Sequence, residues 1–598
     1  MIHRTTLSLI GLTFSTTAGA ATFNVNTTVD FQDSTLGDCI CQGTPIGGLP
    51  ACSLRAAVME SNNCAGAPHQ INVPAGTYNL VIAGAGMAGV GDLDILAGVT
   101  ITGASETTTI VDGLAMGDRV FDVGSGTSLT LESMTVRKGA TGGPGGCIRS
   151  AATLSLDGVT VKQCTSSAGA GGGISSTGTL TLAGSTVSHS SSAQEGGGIQ
   201  ATGTTTLTYS SVRINTSGYA GGGIHNTGTL TLTNTGVHGN TSAAAYDGGG
   251  VYTNSGSTTT LTNSTFKDNT SGNNGGGLYG QTAVTATGCD FDGNTATADG
   301  GGLYAVAALD LATTTVQENT AVQGGGVYAE ADLSLDDTTI YNNLGTGDGG
   351  GVYTEADLTI EDTVFEANNA ANGGGVYALS TVDVTRSTIT SNHADSGDGG
   401  GFYLDGATAT IDGSDIWEND AVAWDVGDGG GFYLDAASLD IQNSTVDSNT
   451  ARYNGGGMNV QNGATVTAHH VTLSFNETIN GDGGGFYGDT YTFSDSIIEY
   501  NNAVTTSYDE CRGAPTSADY NSIRNLNAFC TWTAAANDLT LTSAITETAA
   551  FVTSATPGQN YRMIDPAGSA DGNANDCTGT EQLGAARTSP CDRGAVEQ

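Results

Sequence analysis

Residues able to do chemistry fall in columns. Just before a run of three glycines stand Asp247, Asp299, Asp348, Asp398, Asp428 and Asp482, with Asn274, Asn372 and Asn454 in the same phase. Six residues after the start of the run stands a second set of acids: Glu330, Glu355, Asp405, Asp435 and Asp489. Between the two lies a tyrosine set: Tyr252, Tyr279, Tyr304, Tyr328, Tyr353, Tyr377, Tyr403, Tyr433 and Tyr487. Carboxylates repeated at short spacing repel one another, and a divalent cation such as Ca²⁺ relieves that by taking several oxygen ligands. Asp348, Asp398, Asp428 and Asp482 are therefore candidate Ca²⁺ ligands. Tyrosines beside acids offer flat apolar faces and hydrogen-bonding tips, which suit a sugar ring or a protein partner. Tyr328, Tyr353, Tyr403, Tyr433 and Tyr487, with Glu330, Glu355, Asp405, Asp435 and Asp489, are the candidate ligand-binding set. The alternatives are a self-stacking tyrosine ladder and hydrated or turn-bonded carboxylates.

Catalytic groups are harder to assemble. Between Gly171 and Gly485 the only basic residues besides histidine are Arg213, Lys267, Arg386 and Arg452. They lie far apart and in different phases of the repeat, so no basic cluster is expected. His469 and His470 are adjacent, and adjacent strand residues face opposite ways, so they are not expected to share a site. No catalytic residue is assigned, and no mixed cluster of Asp, Arg and His is expected outside the end segments.

These columns exist because the chain repeats. Glycine triplets start at positions 171, 196, 221, 248, 275, 300, 324, 349, 373, 399, 429, 455 and 483, on average 26 residues apart. A degenerate copy, Gly145-Gly146-Cys147, lies 26 residues earlier. Alternating segments such as Thr229 to Asn234, TLTLTN, signal strands with one buried face. An apolar residue then precedes Asn by three places, giving Asn215, Asn240, Asn269, Asn294, Asn319, Asn343, Asn368, Asn392, Asn419, Asn449, Asn476 and Asn501. Such a unit fits one coil of a right-handed single-stranded parallel β-helix, each coil stacking about 4.8 Å above the last. A β-propeller blade needs a longer period. The asparagines are expected to point inward as a hydrogen-bonded ladder, since each amide both donates and accepts. The triplets are expected at a corner needing positive φ or close backbone approach.

The chain is acidic, with 59 acidic against 16 basic residues and a net charge of -43. That disfavours nucleic acid and anionic lipid as partners. Residues 1–20 read as a secretory signal: Arg4, an apolar run from Leu7 to Phe14, and Ala18-Gly19-Ala20 as cleavage site. Export, to the medium or a bacterial outer surface, agrees with the clustering of ten of the eleven cysteines, four near the front, Cys147 with Cys164, and four at the back, which favours disulfides over zinc. Their connectivity is not readable. Cys289 stands alone, either buried and inert or a free thiol. No transmembrane run is present, and a monomer is expected.

Three stretches resemble known families. Cys52-Ser53-Leu54-Arg55-Ala56-Ala57, followed by a strand reading INVPAGTYNL, resembles the CSLREA-type N-terminal module of secreted bacterial β-helix proteins. The resemblance implies a short helix capping the first coil. Ser53 is a suitable N-cap, and Leu54, Ala57 and Val58 form its apolar face. Ala56 replaces the family's Glu, which removes half of a capping box and predicts a weaker helix. The end, CTGTEQLGAARTSPCDRGAVEQ, resembles the choice-of-anchor Q tail. Repeats such as Phe266-Lys267-Asp268-Asn269 resemble those of chlamydial polymorphic membrane proteins, which implies an adhesin-like surface protein. The expected organisation is a signal at 1–20, an N-terminal cap at 21–70, the β-helix at 71–504 and a C-terminal cap at 505–598. The leading functional expectation is adhesin-like binding of glycans or cell-surface proteins. A carbohydrate-active enzyme, either polysaccharide lyase or glycoside hydrolase, and a passive structural spacer are the alternatives.

Overall fold

The computed structural model describes residues 19–563 apart from 47–48, 85, 87, 423–425, 489, 505–509, 519–520, 525–529, 536–538, 542–549 and 554–559. The signal through residue 18, Asp489, Cys577, Cys591 and the tail motif of residues 577–598 lie outside the described residues. The fold is a parallel β-helix whose coils pair in register. One coil shows the order: Ile199–Ala201, then Thr205–Thr208, a bend, Ser211–Arg213, a second bend, and Thr216–Ser217 before the next triplet. Strands equivalent to Ile199–Ala201 form a sheet of seventeen strands. Those equivalent to Thr216–Ser217 form a sheet of fifteen. The two longer tracks between them make one wide sheet. Parallel pairing begins with Thr22–Asn24 against Gln70–Asn72 and runs to Ser522–Arg524 against Leu539–Leu541.

Alternation decides what is inside. Leu180 and Leu182 are buried while Thr181 and Ala183 are partly exposed. The residue after each triplet also points in: Ile199, Ile224, Val251, Leu278, Leu303 and Val327 are fully buried. Like residues stack within the core, as with Phe266 on Phe291 at 4.5 Å between ring centroids.

The predicted asparagine ladder is present. Asn343 Oδ1 accepts from the Asn319 backbone N–H at 3.1 Å and from Asn319 Nδ2 at 2.9 Å, while Asn343 Nδ2 donates to the Val316 carbonyl at 2.8 Å. The pattern runs from the Ser190 N–H, which donates to Asn215, to Asn501, whose Nδ2 donates to Glu510 at 2.8 Å. A second inner ladder carries hydroxyls instead of amides. The Thr338 N–H donates to Thr363 Oγ1, Thr363 N–H to Ser387 Oγ, and Ser387 N–H to Ser414 Oγ. Cys289 occupies this ladder, its N–H donating to Thr314 Oγ1 at 3.3 Å. It is buried and unpaired, and burial pushes its thiol up to about 11, so it stands as an inert member of the core.

The three glycines of a triplet have different reasons. The first has φ between +57° and +71° in all thirteen copies. The second and third are held by close approach: a Cβ on Gly197 would lie 2.3 Å from the Gly222 carbonyl oxygen, and one on Gly198 2.8 Å from Asn215 Nδ2.

The predicted helix spans Leu54–Asn63, and the Ala56 N–H donates to Ser53 Oγ at 3.0 Å. Leu54, Ala57 and Val58 are buried against the first coil. Arg55, unassigned from the sequence, is fully buried and pairs with Asp30 at 2.8 Å. Disulfides join Cys39–Cys64, Cys41–Cys52, Cys147–Cys164 and Cys511–Cys530. No described helix is long and apolar enough to cross a membrane.

Candidate functional site

The tyrosines form a stack that begins with an unpredicted histidine. His225 lies on Tyr252 at 5.0 Å between centroids. Tyr279, Tyr304, Tyr328, Tyr353, Tyr377, Tyr403 and Tyr433 follow at 4.7–5.2 Å. Each ring face is covered by its neighbours, so the stack presents edges and hydroxyls rather than faces. The acids two residues on are tied to it: Glu330 accepts from the Tyr304 hydroxyl, Glu355 from Tyr328 at 2.5 Å, and Asp405 from Tyr377 at 3.3 Å. Burial pushes Tyr279 up to about 12 and raises Tyr304, Tyr328, Tyr353, Tyr377, Tyr403 and Tyr433 as well. The column is not continuous to its predicted end. Asn459 stands in register between Tyr433 and Tyr487, and Tyr487 instead faces the Arg512 guanidinium, 5.9 Å from its ring centroid.

The acids before the triplets alternate with amides and bond to the next coil. Asn372 Nδ2 donates to Asp348 at 2.8 Å, Asn372 Oδ1 accepts from the Asp398 N–H, and Asp398 Oδ1 accepts from the Asp428 N–H at 2.8 Å. Asp482 pairs with Arg512. Asp398 and Asp428 are the one pair among Asp348, Asp398, Asp428 and Asp482 that occupies adjacent coils. Burial, then Asp398's charge, raise Asp428 to about 6. None of these four belongs to the groups of three ligand-bearing side chains found among the described residues, which are Asp92/Asp94/Asp122 and His469/His470/Asp495.

The expectation that the basic residues fall in different phases fails for Arg213 and Lys267, which share one column with basic residues of earlier coils. Arg137 pairs with Lys162, Lys162 with Ser188, Ser188 with Arg213, Arg213 with His238, and His238 with Lys267. The alignment was present in the spacing, since Arg213, His238 and Lys267 each stand two residues before a ladder asparagine, Asn215, Asn240 and Asn269. Arg137 and Lys138 are paired to Asp112, and Lys267 to Asp292. Lys162 and Arg213 make no ion pair among the described residues. With His189, Thr135, Thr160 and Glu106 they line a cleft of about 390 Å³. Tyr209, 71% exposed, stands on the same coil as Arg213.

A mixed acid and arginine cluster also lies in the early coils, where none was expected. Asp94, Asp122 and Arg149 stack in register on the seventeen-stranded sheet, beside Asp92 and Arg119. Arg119 Nη1 lies 2.9 Å from both Asp92 and Asp122, and Arg149 lies 2.6 Å from Asp122. Burial, then neighbouring carboxylates, raise Asp92 to about 6 and Asp94 to about 7. Asp94 Oδ2 is buried with no hydrogen-bond partner. Carboxyls with raised proton affinity, held beside arginines, are the raw material of general acid–base chemistry.

The chain belongs to the right-handed β-helix family. The family model described as "Right handed beta helix region" matches residues 97–321 and 324–504. No curated protein matches the chain. Among solved structures, it is similar to the catalytic unit of a thermostable α-1,3-glucanase from Streptomyces thermodiastaticus, at 14% identity and a TM-score of 0.25. That match covers 74% of this chain, and the chain spans 64% of the glucanase unit. It is also similar to an A-module of a mannuronan C-5 epimerase from Azotobacter vinelandii, at 13% identity and TM-score 0.17, over 79% of this chain and 91% of that one. Likenesses of this size leave activity and substrate to the residues themselves.

Proposed function

We propose that the protein is an exported binding protein that holds an extended, negatively charged glycan in the cleft bounded by Glu106, Lys162, His189 and Arg213. One observation carries this reading: in a chain of net charge -43, Lys162 and Arg213 stand in one column without carboxylate partners. An unpaired cation pair in an acidic molecule gives a carboxylated or sulfated polymer a local address on a surface that otherwise repels it. Thr160 and Glu106 supply hydroxyl and carboxylate partners for sugar hydroxyls, and exposed Tyr209, four residues before Arg213, supplies a flat face outside the cleft. A ligand carried on a neighbouring cell would make the protein adhesin-like. Four disulfides are compatible with an extracellular setting.

The test is binding to uronate-bearing, sulfated and neutral oligosaccharides at low and high salt. Charged ligands are expected to bind and to weaken with salt, and a Lys162→Ala/Arg213→Ala double variant is expected to lose them. Equal binding of neutral sugars, or an unaffected double variant, would remove the reading.

A second reading, glycan cleavage, is favoured by the Asp92, Asp94 and Asp122 cluster with its raised carboxyls. Its test is release of reducing ends from candidate polymers. Turnover abolished by Asp94→Asn would support it, and turnover unchanged by that variant would end it.

A further inference from the structure

Between its two tracks the wide sheet carries the first bend of each coil, where one residue adopts a left-handed conformation, as at Tyr209. At this bend His470 has φ +54° and, one coil later, Asp495 has φ +50°. The bend breaks the alternation of the strand Thr465–His469. His469 and His470 therefore do not face opposite ways: their rings meet edge to face with centroids 4.0 Å apart. Coil stacking places Ser494 beside His469 in register, which brings Asp495 onto the same spot. His469 Nδ1 lies 3.8 Å from Asp495 Oδ2 and 2.6 Å from Ser494 Oγ. One ligand atom from each of His469, His470 and Asp495 lies within 4.8 Å of the others. His470 is fully buried and Asp495 is 4% exposed, while His469 is partly exposed.

We propose that His469, His470 and Asp495 form a structural site for a zinc-type divalent cation that ties two successive coils together. Two imidazoles with one carboxylate are a donor set for borderline ions such as Zn²⁺, whereas Ca²⁺ and Mg²⁺ seek oxygen ligands alone. Donors gathered around a shared ion sit about 2 Å from it, so the three groups need only a small inward movement to share one. Ser494 or water supplies the remaining position. The ion is held by backbone bends whose left-handed geometry is set by the fold, so the ligands are positioned before it arrives. The acidic molecule raises the local concentration of any cation. The site lies near the end of the asparagine ladder, at Asn501 and Glu510, where fewer coils remain to hold the stack.

The full exported chain is stripped with a chelator and titrated with Zn²⁺ by calorimetry, with elemental analysis for stoichiometry and Co²⁺ absorption as a spectroscopic reporter. Stoichiometric Zn²⁺ uptake, a tetrahedral Co²⁺ band and a raised melting temperature are expected, with Ca²⁺ producing none of these. His469→Ala, at the exposed edge, is expected to keep the metal-free melting temperature and weaken Zn²⁺ binding by more than about tenfold. Asp495→Asn is expected to weaken it likewise. His393, which pairs with Asp395 and Asp420, is the control, and His393→Ala is expected to retain the site. Absence of stoichiometric uptake, uptake indifferent to both His469→Ala and Asp495→Asn, or uptake lost in His393→Ala would overturn the proposal.

Discussion

At Asn343 a single side chain serves three buried groups: the Asn319 N–H, the Asn319 amide and the Val316 carbonyl. Asn343→Ala strands all three, at about 1–3 kcal/mol for each group left unpaired. Urea titration should show a clear loss of stability, while Thr359→Ala, at an outward position of a nearby strand, should change little. Glycines separate in the same way. At Gly406 φ is +63° with open space around the missing Cβ, so Gly406→Ala should cost about 1–2 kcal/mol. At Gly325 a Cβ would lie 2.4 Å from the Leu344 carbonyl carbon, so Gly325→Ala should cost more than Gly406→Ala and open the coil locally. Hydrogen exchange at coils 316–352 is the measurement. Side-chain type and regular spacing made the asparagines and glycines readable as architecture, because an amide both donates and accepts and a glycine alone leaves room for close backbone approach. Cys289 was not readable in the same way, since its place in the hydroxyl ladder depends on neighbours some 25 residues away.

The tyrosine stack behaves as one element. Raised phenols keep their protons in the folded state, whereas unfolded tyrosines lose theirs near the ordinary value of 10. The stack's contribution is therefore fully present below pH 10 and falls as pH rises through about 12, the value reached by Tyr279. Alkaline melts should steepen above pH 10, and Tyr328→Phe should reduce that slope with little change at neutral pH. An unchanged slope would show that the stack is not what titrates. The N-terminal helix follows simpler rules. Its cap was legible in Ser53, and Ser53→Ala should destabilise the helix by about 1 kcal/mol. The burial of Arg55 against Asp30 was not legible, because that contact spans 25 residues and crosses from the helix to a loop.

Over the whole chain, charge is distributed unevenly. A basic column occupies the early coils of a molecule that is otherwise acidic, and several of its carboxyls are partly buried. Asp92 and Asp428, each near 6, and Asp94, near 7, hold protons more tightly folded than unfolded. A raised carboxyl stabilises the fold below its unfolded value, and that stability is lost as pH rises through the folded one. The melting temperature is therefore expected to rise as pH falls from 7 toward 5, and Asp94→Asn should flatten the trend. A melting temperature that falls over that window would contradict the assignment. Added salt should raise the neutral-pH value by screening repulsion among the acids.

A period of 26 residues, its alternating strands, its inward asparagines and its glycine corners could all be read from the chain. Each depends on residue type and local spacing, which the order of residues contains in full. The outward tyrosine column could be read as well, but contacts made across coils of different phase and at the bends could not. Stacking must bring Thr160 to Glu106 and Ser494 to His469, and bends must form before His469 turns toward His470. Both are consequences of stacking, in which each coil is aligned by hydrogen bonds to the next and a column exists only once those bonds are made.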